Sequence, residues 1–261
     1  MAFNLQTFKT RTITAAIFVI VMLAGLLINH WTFFILFSII HFGAWFEFQK
    51  IIGLIDEDYT NASSFHKYCA MLLGWGFMMY VTNKAYSFGN ITLSETGWWL
   101  MLIMMIALPV TEVIFSRHFQ LKSIGLSLLG LVYISLSCGL MMELRNRGMI
   151  FKGESLLVDF GFQLPLVIIF SIWINDTMAY IVGSLIGKTP LSSISPKKTW
   201  EGTLGGILLA GLVSFLYCYF AQADMKIVAI TLIASIAGTA GDLLESKLKR
   251  MANIKDSGSI M

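Results

Sequence analysis

A carboxylate, a hydroxyl and an ammonium recur at helical spacing near the end of this 261-residue chain. In GDLLESKLKRMANIKDSG, residues 241–258, Asp242, Ser246 and Lys249 stand at i, i+4 and i+7, so a helix would hold them on one face. Arg250 flanks that face, and Lys255 and Asp256 follow it. A second polar group lies in WINDTMAYIVGSLIGK, 173–188, where Asp176 comes about eleven residues after Pro165. On a helix that is ~16 Å, deep inside an apolar run, where an ionisable group needs a cavity or a partner. In ISPKKTWEG, 194–202, Ser195 suits a helix N-cap and Pro196 the first helical position. That spacing predicts a first turn whose free N–H groups, with Lys197, Lys198 and the neighbouring Thr199, receive an anion. Carboxylates that hold Mg²⁺ and lysines that hold phosphate oxygens are what phosphoryl or nucleotidyl transfer needs. Each stretch also has a plainer reading. Asp176 could serve a polar contact between helices, and the lysines and Trp200 could mark a bilayer edge. Glu201 could pair with Lys197 at i,i+4, and 241–258 could be a solvated helix end.

The elements that must carry these residues are apolar. Hydrophobic residues make up 57% of the chain and charged ones 13%, and the mean hydropathy is +0.76. A soluble domain is about a quarter charged. Long uninterrupted apolar runs, rather than ten-residue alternating ones, predict an all-α, polytopic transmembrane protein. About eight spans are expected, near 12–28, 31–48, 68–82, 97–115, 121–141, 163–187, 202–221 and 226–244. Residues 1–160 form an N-terminal transmembrane region poor in polar chemistry, and 161–261 a C-terminal catalytic one. With both ends cytoplasmic, all but five of the 18 Lys and Arg fall inside, which orients the chain by the positive-inside rule. The exceptions are Lys84, Arg145, Arg147, Lys152 and Lys226, three of them within 143–162, the segment that dissents from this topology. Scattered charge of this kind suits membrane topology and not a nucleic-acid surface. Cys69, Cys138 and Cys218 lie in apolar runs and are expected to be small buried hydrophobes. The four histidines show no metal-ligand spacing.

The three polar stretches resemble the phosphatidate cytidylyltransferase (CDP-diacylglycerol synthase) family. The resemblance is carried by NDTMAY at 175–180, SPKKTWEGTLGG at 195–206 and GDLLESKLKRMANIKDSG at 241–258. The last matches the family signature at Ser246, Leu248, Lys249, Arg250, Lys255, Asp256 and Gly258. Residues 1–160 resemble the family only in being apolar spans. The resemblance implies that CTP and phosphatidate give CDP-diacylglycerol and pyrophosphate with Mg²⁺, at the cytoplasmic face of a bacterial inner membrane. It further implies Asp242 as first choice for a metal ligand. Lys197, Lys198, Lys249, Arg250 and Lys255 would hold phosphates, with hydrogen bonds from Ser246, Thr199 and the Ser195 stretch. Asp176 would hold metal or orient a lysine, and Asp256 joins the catalytic set. Membrane lipids and a second copy of the chain are the other expected partners. Met178 stands where the family pattern calls for a small residue. The family continues beyond the position of Met261 with Pro-Gly-His-Gly-Gly and Asp-Arg-x-Asp stretches, so the chain is expected to be a truncated member without activity of its own. The competing readings are a CTP-dependent polyprenol kinase and a transporter that uses Asp176.

Overall fold

A computed structural model describes residues 5–115, 121–153 and 155–254. The long helices in chain order are α1 (Leu5–Leu27), α2 (His30–Ile55), α4 (Ser64–Tyr80), α5 (Leu93–Phe115), α6 (Leu121–Gly130), α7 (Leu136–Arg147), α8 (Gln163–Ile186), α9 (Trp200–Ala221) and α10 (Lys226–Met251), with a single turn, α3 (Glu57–Thr60), after α2. A π-turn, Leu131–Ser135, joins α6 to α7. The only described strands form two hairpins, Ser87–Phe88 with Ile91–Thr92 (β1, β2) and Met149–Lys152 with Ser155–Asp159 (β3, β4). The protein is an all-α integral membrane protein. Every expected span coincides with a helix, but only six helical stretches among the described residues are long and apolar enough to cross a bilayer. The remaining two are shorter: α4 has 17 residues, and the apolar part of α1 is Thr12–Leu27.

The chain divides into two compact units, residues 1–46 with 62–162 and residues 47–61 with 163–261. In the first, several polar side chains pair within the packed interior. Ser135 Oγ receives Trp45 Nε1 at 3.0 Å and lies 3.0 Å from His41 Nε2, while His66 Nε2 meets Ser127 Oγ at 2.8 Å. Gly74 is obligatory here, since a Cβ would meet the Ser135 side chain at 2.7 Å. Such pairing matters because a buried polar group without a partner costs several kcal/mol. Cys69, Cys138 and, in the second unit, Cys218 are free and buried.

The cations of the segment that dissented from the topology are held locally. Arg145 is 1% exposed, and both of its terminal nitrogens donate to the two oxygens of Asp159. The guanidinium also lies over the Phe33 ring, 5.7 Å from its centroid, and Gly161 N donates to Asp159 Oδ1 at 3.1 Å. Burial pushes the Asp159 carboxyl up, but the hydrogen bonds and charge of Arg145 outweigh it and hold the group below its ordinary range. Arg147 pairs with Glu143 at 3.4 Å. Two of the three cations in 143–162 are thus matched by carboxylates from the same segment.

In the second unit α8 packs closely on α9 through small residues. A Cβ on Gly206 would come within 2.6 Å of the Asn175 carbonyl oxygen, and one on Gly202 within 2.7 Å of that of Ala179. Ala179, Gly183 and Gly187 thus form a small-residue face that receives α9 and its N-cap Thr199, as small-residue stripes do in membranes. Ser171 Oγ donates to Thr231 Oγ1 at 3.0 Å and Asn175 Nδ2 to Thr239 Oγ1 at 3.3 Å, which ties α8 to α10. Helix α10 continues past the expected end at 244 to Met251, so Asp242, Ser246 and Lys249 do ride on one helix.

Candidate active site

Helices α8, α9 and α10 of the second unit border a cavity of about 520 Å³ whose walls carry five of the polar residues picked out above. Helix α8 supplies Asn175, Asp176, Tyr180 and Ser184, and α10 supplies Thr239 and Asp242. Thr203 comes from α9, and Lys197, Lys198 and Thr199 come from the segment before it. Lys198 Nζ forms an ion pair with Asp242 Oδ2. Asp176 lies within electrostatic reach of both partners. Its Oδ1 accepts from Asn175 Nδ2 at 3.2 Å.

The segment 187–199 is not the helical turn that Ser195 and Pro196 predict. Helix α9 begins at Trp200, and Thr199 is its N-cap, with Oγ1 accepting from Gly202 N at 3.1 Å. Lys198 N bonds to Ser195 O at 3.0 Å instead, closing a turn with Pro196 at its second position, a place Pro favours as much as the first turn of a helix. Thr199 also pairs with Pro190 in an isolated antiparallel bridge. The lysines thus sit on the return arm of a folded loop, and no described residue places them in a helical first turn. Glu201 does not pair with Lys197. Its carboxylate accepts from the backbone N–H groups of Lys188 and Thr189.

Of the expected site residues, Asp176, Asp242, Lys197, Lys198 and Thr199 share the cavity. Ser195, Ser246, Lys249 and Arg250 do not line it. Lys249 turns to carboxylates, Glu245 at 2.5 Å and Glu47 at 3.9 Å. Lys255 and Asp256 lie outside the described residues. Thr203 and Thr239 went unnoticed in the sequence, although Thr239 stands three residues before Asp242, on the same helical face.

The donor set is all oxygen, which suits a hard cation such as Mg²⁺. Asn175 Oδ1 is buried and without a hydrogen-bond partner; it belongs to a cavity residue that touches Asp176. No group of three His, Cys, Asp or Glu capable of holding a metal occurs among the described residues. Two carboxylates are nevertheless enough for Mg²⁺, which takes one or two plus substrate phosphates and water. The residues therefore fit the ion.

Comparison with known proteins gives the family. The cytidylyltransferase family profile matches residues 9–261. The chain belongs to the cytidylyltransferase family. Among its relatives are the phosphatidate cytidylyltransferase of Bacillus subtilis, 28% identical over 97% of this chain and 88% of that protein, and phosphatidate cytidylyltransferase 4, chloroplastic, of Arabidopsis thaliana, 34% identical over 67% of this chain and 47% of that protein. The enzyme of that name from Staphylococcus aureus (strain COL) is 30% identical over 61% of this chain and 58% of its own length. The chain thus spans most of the Bacillus relative and about half of the other two. Family membership extends over both units, so the apolar first 160 residues belong to it as well as the polar stretches.

Proposed function

We propose that this protein is a membrane-bound nucleotidyltransferase that makes CDP-diacylglycerol and pyrophosphate from CTP and phosphatidate. The observation that carries this reading is the convergence of Lys197, Lys198, Asp176 and Asp242 on one cavity, with Lys198 already against Asp242. The lipid phosphate attacks the α-phosphorus of CTP and pyrophosphate departs. The attacking phosphate is already ionised, so no strong base is needed; the obstacle is bringing two anions together. Lys197 and Lys198 answer that obstacle by holding phosphate oxygens, with Thr199 as a further donor. Asp242, with Asp176 and the Asn175 carbonyl beside it, would hold Mg²⁺, which supplies charge neutralisation on the phosphates. Catalysis belongs to the C-terminal membrane region, 161–261, with 1–160 as the N-terminal transmembrane region. Ser195, Ser246, Lys249, Arg250, Lys255 and Asp256 remain assigned by resemblance alone.

The test is the reaction itself, run in membranes with CTP, phosphatidate and Mg²⁺ on residues 1–261 extended by the family's further stretches, beside residues 1–261 alone, for which no turnover is expected. CDP-diacylglycerol and pyrophosphate are expected from the extended chain, with activity lost on chelation. CDP and a phosphorylated lipid would instead establish the kinase reading. The loop at 188–199 faces the cytoplasm of a bacterial inner membrane, so Ser193→Cys should resist an impermeant thiol reagent in intact cells and react once the membrane is opened. Labelling from outside would reverse the orientation.

A further inference from the structure

We propose that Glu201 is a positioning residue whose carboxylate closes the neck of the 188–199 loop and so fixes where Lys197 and Lys198 stand in the cavity. The inference rests on the reaction assigned above. Glu201 Oε2 accepts from Lys188 N at 3.2 Å, and both carboxylate oxygens accept from Thr189 N at 3.2 Å. Helix α8 ends at Ile186, and Glu201 is the second residue of α9. One side chain therefore joins the exit of one helix to the entry of the next. Hydrogen bonds from backbone N–H to an ionised carboxylate are roughly twice as strong as neutral ones. A negative charge in the first turn of α9 also complements the helix dipole.

The loop above that neck is a short folded arm. Trp200 N donates to Thr189 O at 2.9 Å and Leu191 N to Lys198 O at 2.7 Å. The second bond is made by the backbone of the lysine that meets Asp242, so the arm's register sets the position of that ammonium. Without Glu201 the N–H groups of Lys188 and Thr189 lose their carboxylate partner at the point where the arm leaves α8. The rest of the ladder stays, so the arm can hinge without unfolding. Misplacement by about 1 Å can cost on the order of 10²-fold in rate.

The experiment is a double-mutant cycle on kcat/KM for CTP, with Glu201→Ala, Lys198→Ala and the double variant assayed in membranes. Glu201→Ala is expected to lower kcat/KM by roughly 10–100-fold, and Glu201→Gln, which keeps one acceptor oxygen, to fall between it and wild type. On the Lys198→Ala background the Glu201 change should add less than about threefold, because the position of an absent ammonium no longer matters. If Glu201→Ala does not fold, Glu201→Gln takes its place in the cycle. Losses that multiply in the double variant, as a general structural defect would give, overturn the proposal. So does a Glu201→Ala protein within about threefold of wild type. Wild-type protein carrying the family's further stretches that makes no CDP-diacylglycerol overturns the assigned reaction instead, whereas an active wild type with a multiplicative cycle removes only the role of Glu201.

Discussion

The two units handle their polar residues in opposite ways. In the first, Arg145 and Asp159 satisfy each other, and Ser135 takes up both His41 and Trp45. In the second, Asp176, Asp242 and Lys198 line a cavity, and the side-chain amide oxygen of Asn175, Oδ1, is buried without a hydrogen-bond partner. Both arrangements place ionisable groups among apolar helices at a cost in desolvation. The first closes its charge pair inside folded backbone, with Arg145 only 1% exposed. In the second the charged groups, although Lys198 and Asp242 pair, border a cavity that a charged ligand can enter. Neither charge count nor unpartnered atoms would separate the two units, since Arg145 Nε and His41 Nδ1 are buried and unbonded like Asn175 Oδ1; the difference is access.

That contrast can be broken by substitution. The largest effect is expected at Asp242→Asn, which should lower turnover with CTP and phosphatidate by ~10²–10³ with little change in thermal unfolding, as for loss of a preorganised charged group. A large drop in unfolding temperature without a rate effect would place Asp242 with the structural charges. Next comes Asp159→Asn in the first unit, which strands the buried Arg145 and should cost about 3 kcal/mol of stability, while folded protein keeps its rate. The same pair predicts a pH effect. A carboxyl held below its unfolded value contributes stability above the unfolded pKa and loses it as pH falls through the folded one. Acid unfolding of the wild type should therefore steepen as Asp159 protonates, and Asp159→Asn should lack that component. Smaller again is Gly206→Val, which forces a branched side chain against the Asn175 carbonyl; an overpacking loss of about 2 kcal/mol is expected in a thermal melt. The smallest is Arg147→Gln, which removes an exposed i,i+4 pair with Glu143 and should shift stability by only about 0.3 kcal/mol.

The helices were legible because a spanning segment has to be long and apolar, and composition alone reports both. The site was legible where a residue type was out of place in its surroundings: Asp176 in an apolar run, Lys197 and Lys198 between two such runs. What sequence could not resolve was geometry with two local solutions. Ser195-Pro196 satisfies the preferences of a helix start and of a β-turn alike, and the tertiary pairing of Thr199 with Pro190 chose the turn. Glu201 was misjudged for a related reason. Its nearest cation in sequence is Lys197, but its partners in space are backbone N–H groups from the far end of the loop, and backbone donors leave no trace in composition. The partner of Arg145 was not legible either, because its counter-charge lies 14 residues away, beyond any helical spacing.

That separation of 14 residues also bears on how the chain is made. At a synthesis rate of about 5–20 residues per second, Asp159 leaves the ribosome roughly one to three seconds after Arg145. Both partners and the hairpin between them are complete before the first residue of α8, Gln163, is added. The guanidinium and its counter-ion are therefore both synthesised before the helices that line the cavity, and the first unit carries the counter-charge for its buried cation without drawing on the second.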